Sequence, residues 1–210
     1  MIGILALSCL STSSIFNKLQ DRALAQQYVQ TTKSRNLVID LGNGLETKAQ
    51  LTLPVLGKGP FPGVLLVHGS GITDKNERLG PTDKNTAPFL QISQYLSERG
   101  FAVLRYDKRG IGANHTILDK NVWGNATFTN LKQDAQKALA VLIKQPEVDL
   151  NKITIIGHSE GTTITPRVAV ENLDKVKDIV LMAPFAQNLR PVLHFQIVEN
   201  PALLHDSLGF

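Results

Sequence analysis

The sequence predicts an α/β domain: a mostly parallel sheet with helices on both faces and an antiparallel hairpin at its N-terminal side. Three observations carry that prediction. Strand-like and helix-like segments alternate from residue 63 to residue 185, the pattern of right-handed βαβ crossovers. Runs such as "GVLLV" at 63–67 are continuously apolar, as strands covered on both faces are. The hairpin reads from "NLVIDL" and "ETKAQLTLPV", which flank Gly42-Asn43-Gly44, a strong turn signal.

Each later element has its own signature. Pro60-Phe61-Pro62 leads into "GVLLVHGSG", the first buried strand. "APFLQISQYLSERG" places Phe89, Ile92 and Leu96 on one helical face, and Gly100 follows Arg99 where a helix stop belongs. "FAVLRYDKRG" reads as the next buried strand. Phe128, Leu131, Ala135, Ala138, Leu139 and Leu142 recur at helical spacing. "KITIIGHS" is a strand, followed by a short helix from about Thr162 to Asn172 and the strand "KDIVLMAPF". The expected organisation is an N-terminal extension or signal peptide over 1–35, a core over 36–185, and a tail or the start of a cap over 186–210. No internal repeat or second domain boundary is visible. The long polar connections 70–86 and 107–127 both follow the carboxyl end of a strand, the end where open α/β sheets bind ligands.

Composition narrows the function. A chain of 210 residues, 42% hydrophobic and 19% charged, has ordinary globular composition. Its net charge of +4 is scattered, with nothing denser than Lys108-Arg109 or Lys175-Val176-Lys177, so no stripe suited to a phosphate backbone exists and no nucleic-acid partner is expected. The single cysteine, Cys9, excludes intrachain disulfides and C-x-x-C metal sites. No H-E-x-x-H motif or cysteine cluster suggests a metal, and no complete dinucleotide or P-loop fingerprint suggests a nucleotide, so no cofactor is expected. The apolar run from Ile2 to Leu10 has signal-peptide length, and Ala23-Leu24-Ala25 matches the small-x-small cleavage pattern. A secreted or periplasmic location follows from that reading. Lys18, Asp21 and Arg22 ahead of the cut favour the alternative, a loosely packed extension on a cytoplasmic protein. The run is too short to span a bilayer as a helix, so no stable membrane span is expected. Oligomeric state leaves no mark on the sequence.

The chemistry concentrates at "ITIIGHSEGTT". Gly157 and Gly161 bracket Ser159 at the spacing of a tight strand-to-helix turn. A serine hydroxyl is a poor nucleophile at neutral pH. It needs exposure, a neighbouring base, and donors ready for a developing oxyanion. Strained backbone at such a turn presents the hydroxyl, and small residues two positions either side let strand and helix approach without a Cβ collision. G-x-S-x-G alone is weak, since it arises by chance in roughly one chain in fifteen of this length. Position strengthens it, because a second motif, His68-Gly69-Ser70-Gly71, ends the first buried strand. A backbone N–H there, from Ser70 or else from Gly71, would pair with the Glu160 N–H as an oxyanion hole.

With these residues the chain resembles the α/β-hydrolase superfamily, and more narrowly its bacterial esterases and serine-aminopeptidase-like hydrolases. The matching stretches are "VLLVHGSGITDKNE", "YLSERGFAVLRYDKRGIG", "IIGHSEG" and "IVLMAPF", in order across 64–185. The resemblance implies the α/β-hydrolase fold, with Ser159 as acyl-accepting nucleophile and Ser70 and Glu160 as oxyanion-hole donors. It also implies a structural loop in which Asp107 and Arg109 tie the backbone beside the site. His68, Gly69, Gly71 and His158 then surround the pocket, the histidines hydrogen-bonding backbone near the cleft. Thr162 stands where many relatives carry another glycine. His115 is expected as a solvated loop residue, and Asp74, Glu77 and Asp83 as solvated acids or a site for a polar substrate or cation.

Relatives continue through two more strands that carry the acid and the catalytic histidine, in the order Ser, acid, His. Here "LRPVLHFQIVENPALLHDSL" reads as helical, so the expected apparent lack of those last strands puts the acid and base beyond residue 210 rather than at His194, His205 or Asp206. The implied activity is a carboxylesterase acting on a small ester or thioester through an acyl-serine intermediate. A peptidase on short peptides is the nearest rival, and a non-catalytic relative of the fold is the alternative in a different class.

Overall fold

Asn43 and Gly44 adopt φ of 55° and 75°, the left-handed pair that closes a two-residue hairpin with the twist its strands require. On either side of that turn in the computed structural model lie β1 (Thr32–Gly42) and β2 (Leu45–Pro54), paired antiparallel. The structure describes residues 31–78, 86–185 and 189–199. The features read at Cys9, in the apolar run Ile2 to Leu10 and at Ala23-Leu24-Ala25 lie outside these residues, as do Asp83, His205 and Asp206. β1 starts at Thr32, ahead of the regular pattern that begins at Asn36.

The order continues β3 (Phe61–Val67), α1 (Pro88–Glu98), β4 (Ala102–Tyr106), α2 (Lys120–Gly124), α3 (Phe128–Ile143), β5 (Val148–His158), α4 (Gly161–Val170), β6 (Val176–Met182) and α5 (Leu189–His194). A short π-helical turn, Phe195–Glu199, follows α5. The strands form a 6-stranded sheet in the order β1-β2-β4-β3-β5-β6. β3 pairs parallel with β4 and β5, and β5 parallel with β6, while β2 runs antiparallel to both neighbours. The mostly parallel sheet expected from the alternation is therefore present.

Side-chain alternation along β3 divides the core. Val64 and Leu66 face one layer with Phe89, Val103 and Ile156, beneath α1. Leu65 and Val67 face the other, with Leu104, Leu139, Ile155 and Ile164, beneath α3 and α4. Leu65 and Leu66 are both at 0% exposure, and each side chain so buried stabilises the fold by about 1.5–3 kcal/mol before cavity effects. That is why the strand reads as unbroken apolar sequence.

α1 packs through the expected face, with Phe89, Ile92 and Leu96 on one core cluster, and two serines join it. Its fully buried line is Phe89, Ser93 and Ser97, with Ile92 and Leu96 half-buried beside it. The serines let the helix lie close on the sheet, and Ser97 Oγ donates to the Thr52 carbonyl at 3.1 Å. Phe128, at the start of α3, is 40% exposed, with the Arg167 guanidinium 5.1 Å from its ring centre.

The parallel register brings the strand ends together. Val67 lies opposite Gly157, which lies opposite Leu181. Residues 68–78, 107–119 and 158–161 therefore emerge at one end of the sheet. Ile179, Val180 and Leu181 of β6, the edge strand among the described residues, are exposed. No described helix is long and apolar enough to cross a membrane.

Candidate active site at the carboxyl end of the sheet

Ser159 occupies the turn between β5 and α4 with φ of 50°. A non-glycine residue held in this region costs about 1–3 kcal/mol, and surrounding structure must impose it. Here the Ser159 N–H donates to the Met182 carbonyl at 3.0 Å, and the Ser159 carbonyl accepts from Thr162 N at 2.9 Å and Thr162 Oγ1 at 2.6 Å. The flanking glycines are required by space. A Cβ on Gly161 would lie 2.3 Å from the Val67 carbonyl oxygen, and one on Gly157 would lie 2.4 Å from the Gly161 carbonyl oxygen. The helix thus starts against the backbone of β3, and Ser159 is left half-buried at its N-terminus.

The loop after β3 passes over this turn. A Cβ on Gly69 would lie 3.1 Å from the Ser159 Cβ. Ser70, the next residue, is exposed, and Gly71 takes φ of 90°, which carries the chain away. Neither the Ser70 N–H nor the Glu160 N–H donates to a described residue. The Gly69 N–H, in contrast, is committed to Glu77 Oε1 at 2.6 Å.

His68 is buried with Nε2 donating to the Tyr106 carbonyl at 2.5 Å, its ring 4.4 Å from Tyr106. Burial first, and then the charge of Lys108, push its pKa down to about 4, so it is neutral at physiological pH. His158 instead bonds a side chain: its Nδ1 lies 2.8 Å from Glu77 Oε1. That hydrogen bond raises the His158 pKa above its ordinary value against a smaller opposing effect of burial.

Three expectations are corrected. Asp74 and Glu77 are not solvated but buried, at 0% and 1% exposure. Glu77, itself at φ of 51°, joins Gly69 to His158, while Asp74 accepts from the backbone N–H groups of Asn76 at 2.9 Å and Asn114 at 3.1 Å. Folding the polar loop back on itself supplies these acids with the backbone donors that make burial tolerable. His115 is half-buried, with Nδ1 2.5 Å from the Ile72 carbonyl oxygen. Asp107 does tie backbone, accepting from Lys75 N at 2.7 Å, but Arg109 grips the Asp134 carboxylate of α3 through two bonds of 2.6 and 2.7 Å as well as the Asn130 carbonyl. Burial raises the pKa of both Asp107 and Asp134.

Sequence reasoning missed Lys108, although "RYDKRG" was singled out. Its Nζ donates to the Gly69 carbonyl and to Glu160 Oε2, each at 2.9 Å. None of the described histidines, 68, 115, 158 or 194, hydrogen-bonds the Ser159 hydroxyl; His194 Nδ1 lies 3.1 Å from Glu199 Oε1 instead. Among the described residues no group of His, Cys, Asp and Glu is placed to hold a metal.

Known proteins share this architecture. The family described as serine aminopeptidase, S33, matches residues 85–204. Esterase EstD of Thermotoga maritima is 38% identical over 156 residues, which cover 74% of this chain and 34% of that esterase. The chain thus spans about a third of the length of this curated relative. Among solved structures, the α/β hydrolase GrgF from Penicillium superposes with a TM-score of 0.59 at 20% identity, over 81% of this chain and 53% of that one. Brefeldin A esterase, a bacterial homologue of human hormone-sensitive lipase, does so with a TM-score of 0.56 at 18% identity, over 83% and 46%. At such identities the structures establish the fold alone.

Proposed function

The chain belongs to the serine aminopeptidase S33 family and has the α/β-hydrolase fold, and from that premise we propose that it contributes the nucleophile and oxyanion hole of a carboxylic ester hydrolase. The observation that carries the reading is Ser159 at φ of 50° on a strand-to-helix turn, directly beneath the Gly69–Ser70 loop. In the proposed reaction Ser159 Oγ bonds to the ester carbonyl carbon as its proton passes to a base, and the carbonyl electron pair moves onto oxygen. The Ser70 and Glu160 N–H groups receive that oxyanion. Collapse expels the alcohol, which takes the proton, and water then releases the acid from the acyl-serine. His68 is unsuited to be the base, because its Nε2–H is held by Tyr106. The base is proposed to come from outside the described residues. Gly71, His158 and Glu77 then shape and fix the loop around the site.

Ester rather than amide chemistry is proposed because the relative at 38% identity is an esterase; short peptides are the rival substrates, in keeping with the family's description. The test uses the product of the whole natural gene, assayed on matched p-nitrophenyl ester and p-nitroanilide substrates and labelled with a fluorophosphonate. Faster ester turnover and labelling at Ser159, both lost in Ser159→Ala with its fold retained, are expected. Ester turnover surviving in Ser159→Ala would show that another residue is the nucleophile, and faster anilide turnover would favour the peptidase.

A further inference from the structure

Lys108 leaves the end of β4 and is buried, its side chain only 8% exposed. The reaction above gives it no part, yet its ammonium bonds to the two residues proposed to supply the oxyanion donors or to flank them. One bond goes to the Gly69 carbonyl and the other to the Glu160 carboxylate, each at 2.9 Å. We propose that Lys108 is a positioning residue of the oxyanion hole, holding both donors in register through one ammonium group. This rests on the reading of Ser70 and Glu160 as those donors.

The geometry of the peptide unit carries the argument. The Gly69 carbonyl and the Ser70 N–H belong to one planar trans peptide, so they point in opposite directions. Fixing the carbonyl on Lys108 fixes the N–H on the far side. The Gly69 N–H is meanwhile held by Glu77 Oε1 at 2.6 Å, so the peptide units on both sides of this glycine are anchored. Glycine backbone is otherwise the most free to rotate. A cation on the carbonyl also polarises the same peptide and strengthens its N–H as a donor.

On the other arm, Glu160 precedes α4 and makes no side-chain capping bond within its own helix. Its carboxylate turns to Lys108 instead, so the residue whose N–H is the second donor is tied to the cation that orients the first. Preorganised donors act at no reorganisation cost when charge develops. A clamp across the two arms is one way to hold them there.

The experiment uses the product of the whole natural gene and compares Lys108→Met, Lys108→Arg and Glu160→Ala on a p-nitrophenyl ester, with Ser159→Ala alongside. Complete loss of one oxyanion donor costs about 100- to 1000-fold in kcat, so a donor mis-aimed by loss of the clamp should cost about 30- to 100-fold in Lys108→Met, with KM within about threefold. Lys108→Arg keeps the charge and a donor, and should recover to within about tenfold of wild type. A purely structural ion pair would lower thermal stability and leave kcat per folded molecule unchanged. That result overturns the proposal, as does an Arg variant no better than the Met variant. Should Lys108→Met fail to fold, Glu160→Ala replaces it: it keeps every main-chain donor and removes the acceptor on one arm of the clamp, and an unchanged kcat there overturns the coupling of the arms. Turnover persisting in Ser159→Ala would instead remove the reading of the site on which the clamp depends.

Discussion

The two halves of the site are built on different physics. The turn 157–161 is held by sterics: β5, α4 and β3 meet so closely that Gly157 and Gly161 have backbone atoms within 2.4 Å of where a Cβ would stand. The loop 68–78 is held by polar bonds to distant residues, with Glu77 on Gly69 and His158, Lys108 on Gly69 and Glu160, and Asp74 on Asn76 and Asn114. Steric demand restricts residue type at fixed spacing. A polar clamp restricts only which residues end up near one another. The turn should therefore fail abruptly on small changes, and the loop by degrees.

The largest break is expected at the turn. Gly161→Ala would set a methyl 2.3 Å from the Val67 carbonyl oxygen and 2.9 Å from that of His68. Neither backbone atom can swing aside, so destabilisation of about 3 kcal/mol or more is expected. Gly100→Ala is the matching control. With φ of 93° and nothing within 4 Å, it carries only the left-handed penalty, about 1–2 kcal/mol. Urea denaturation of the two variants would measure the contrast, and equal losses would remove the steric account.

The loop's own break is smaller. Glu77→Ala takes away the acceptor of the Gly69 N–H and the partner of His158, an effect of about 2–3 kcal/mol for a charged bond with its buried donor left unsatisfied. Hydrogen exchange should speed up at the Gly69 amide, while the amide of Thr162, in the turn, keeps its protection. Exchange that accelerates equally at both would mean that the loop and the turn are one cooperative unit.

These differences explain what was legible. Gly157 and Gly161 were readable because no side chain fits their places, and Ser159 because they bracket it. β3 was readable because both of its faces are covered. Glu77 and Asp74 read as solvated acids, because a carboxylate in a polar loop looks the same in sequence whether or not the fold supplies it with N–H donors. Lys108 was invisible for a related reason: its partners are 39 and 52 residues away in the chain, and no local pattern links them. The face of α1 was readable from Phe89, Ile92 and Leu96, but the burial of Ser93 and Ser97 was not, because it depends on how closely the helix approaches the sheet.

The two histidines beside the site sharpen the comparison through pH. For His68, burial lowers the folded-state pKa from 6.5 to about 4, so between those values the unfolded chain binds the proton and the folded chain does not. Stability contributed by neutral His68 is therefore present above 6.5 and lost as pH falls toward 4. His158 has the opposite sign. Its pKa is raised by Glu77, so its contribution is full below the ordinary value and lost as pH rises through the raised one. Going from about pH 7.5 to 5, wild type should lose about 2 kcal/mol relative to His68→Asn, which has no imidazole to titrate. A difference between the two proteins that does not change with pH would mean that His68 takes up its proton alike in the folded and unfolded chains, so that burial does not lower its pKa.

The smallest effect tests how far the turn depends on hydrogen bonds as well as space. Thr162 Oγ1 donates to the Ser159 carbonyl at 2.6 Å beside the Thr162 N–H at 2.9 Å. Thr162→Ala removes the side-chain bond and leaves the backbone bond in place. Because the Ser159 carbonyl keeps a donor, no acceptor is stranded, and the loss should be about 1 kcal/mol. Thr162→Gly should lose up to about 1 kcal/mol more, through the freedom glycine gains in the unfolded chain. If strain at Ser159 is imposed by the glycines and the Met182 bond alone, neither variant should alter the rate of fluorophosphonate labelling. Labelling slowed about tenfold or more in folded Thr162→Ala would show instead that the threonine hydroxyl helps to hold φ of Ser159 positive, and that the turn, like the loop, relies on a side-chain clamp.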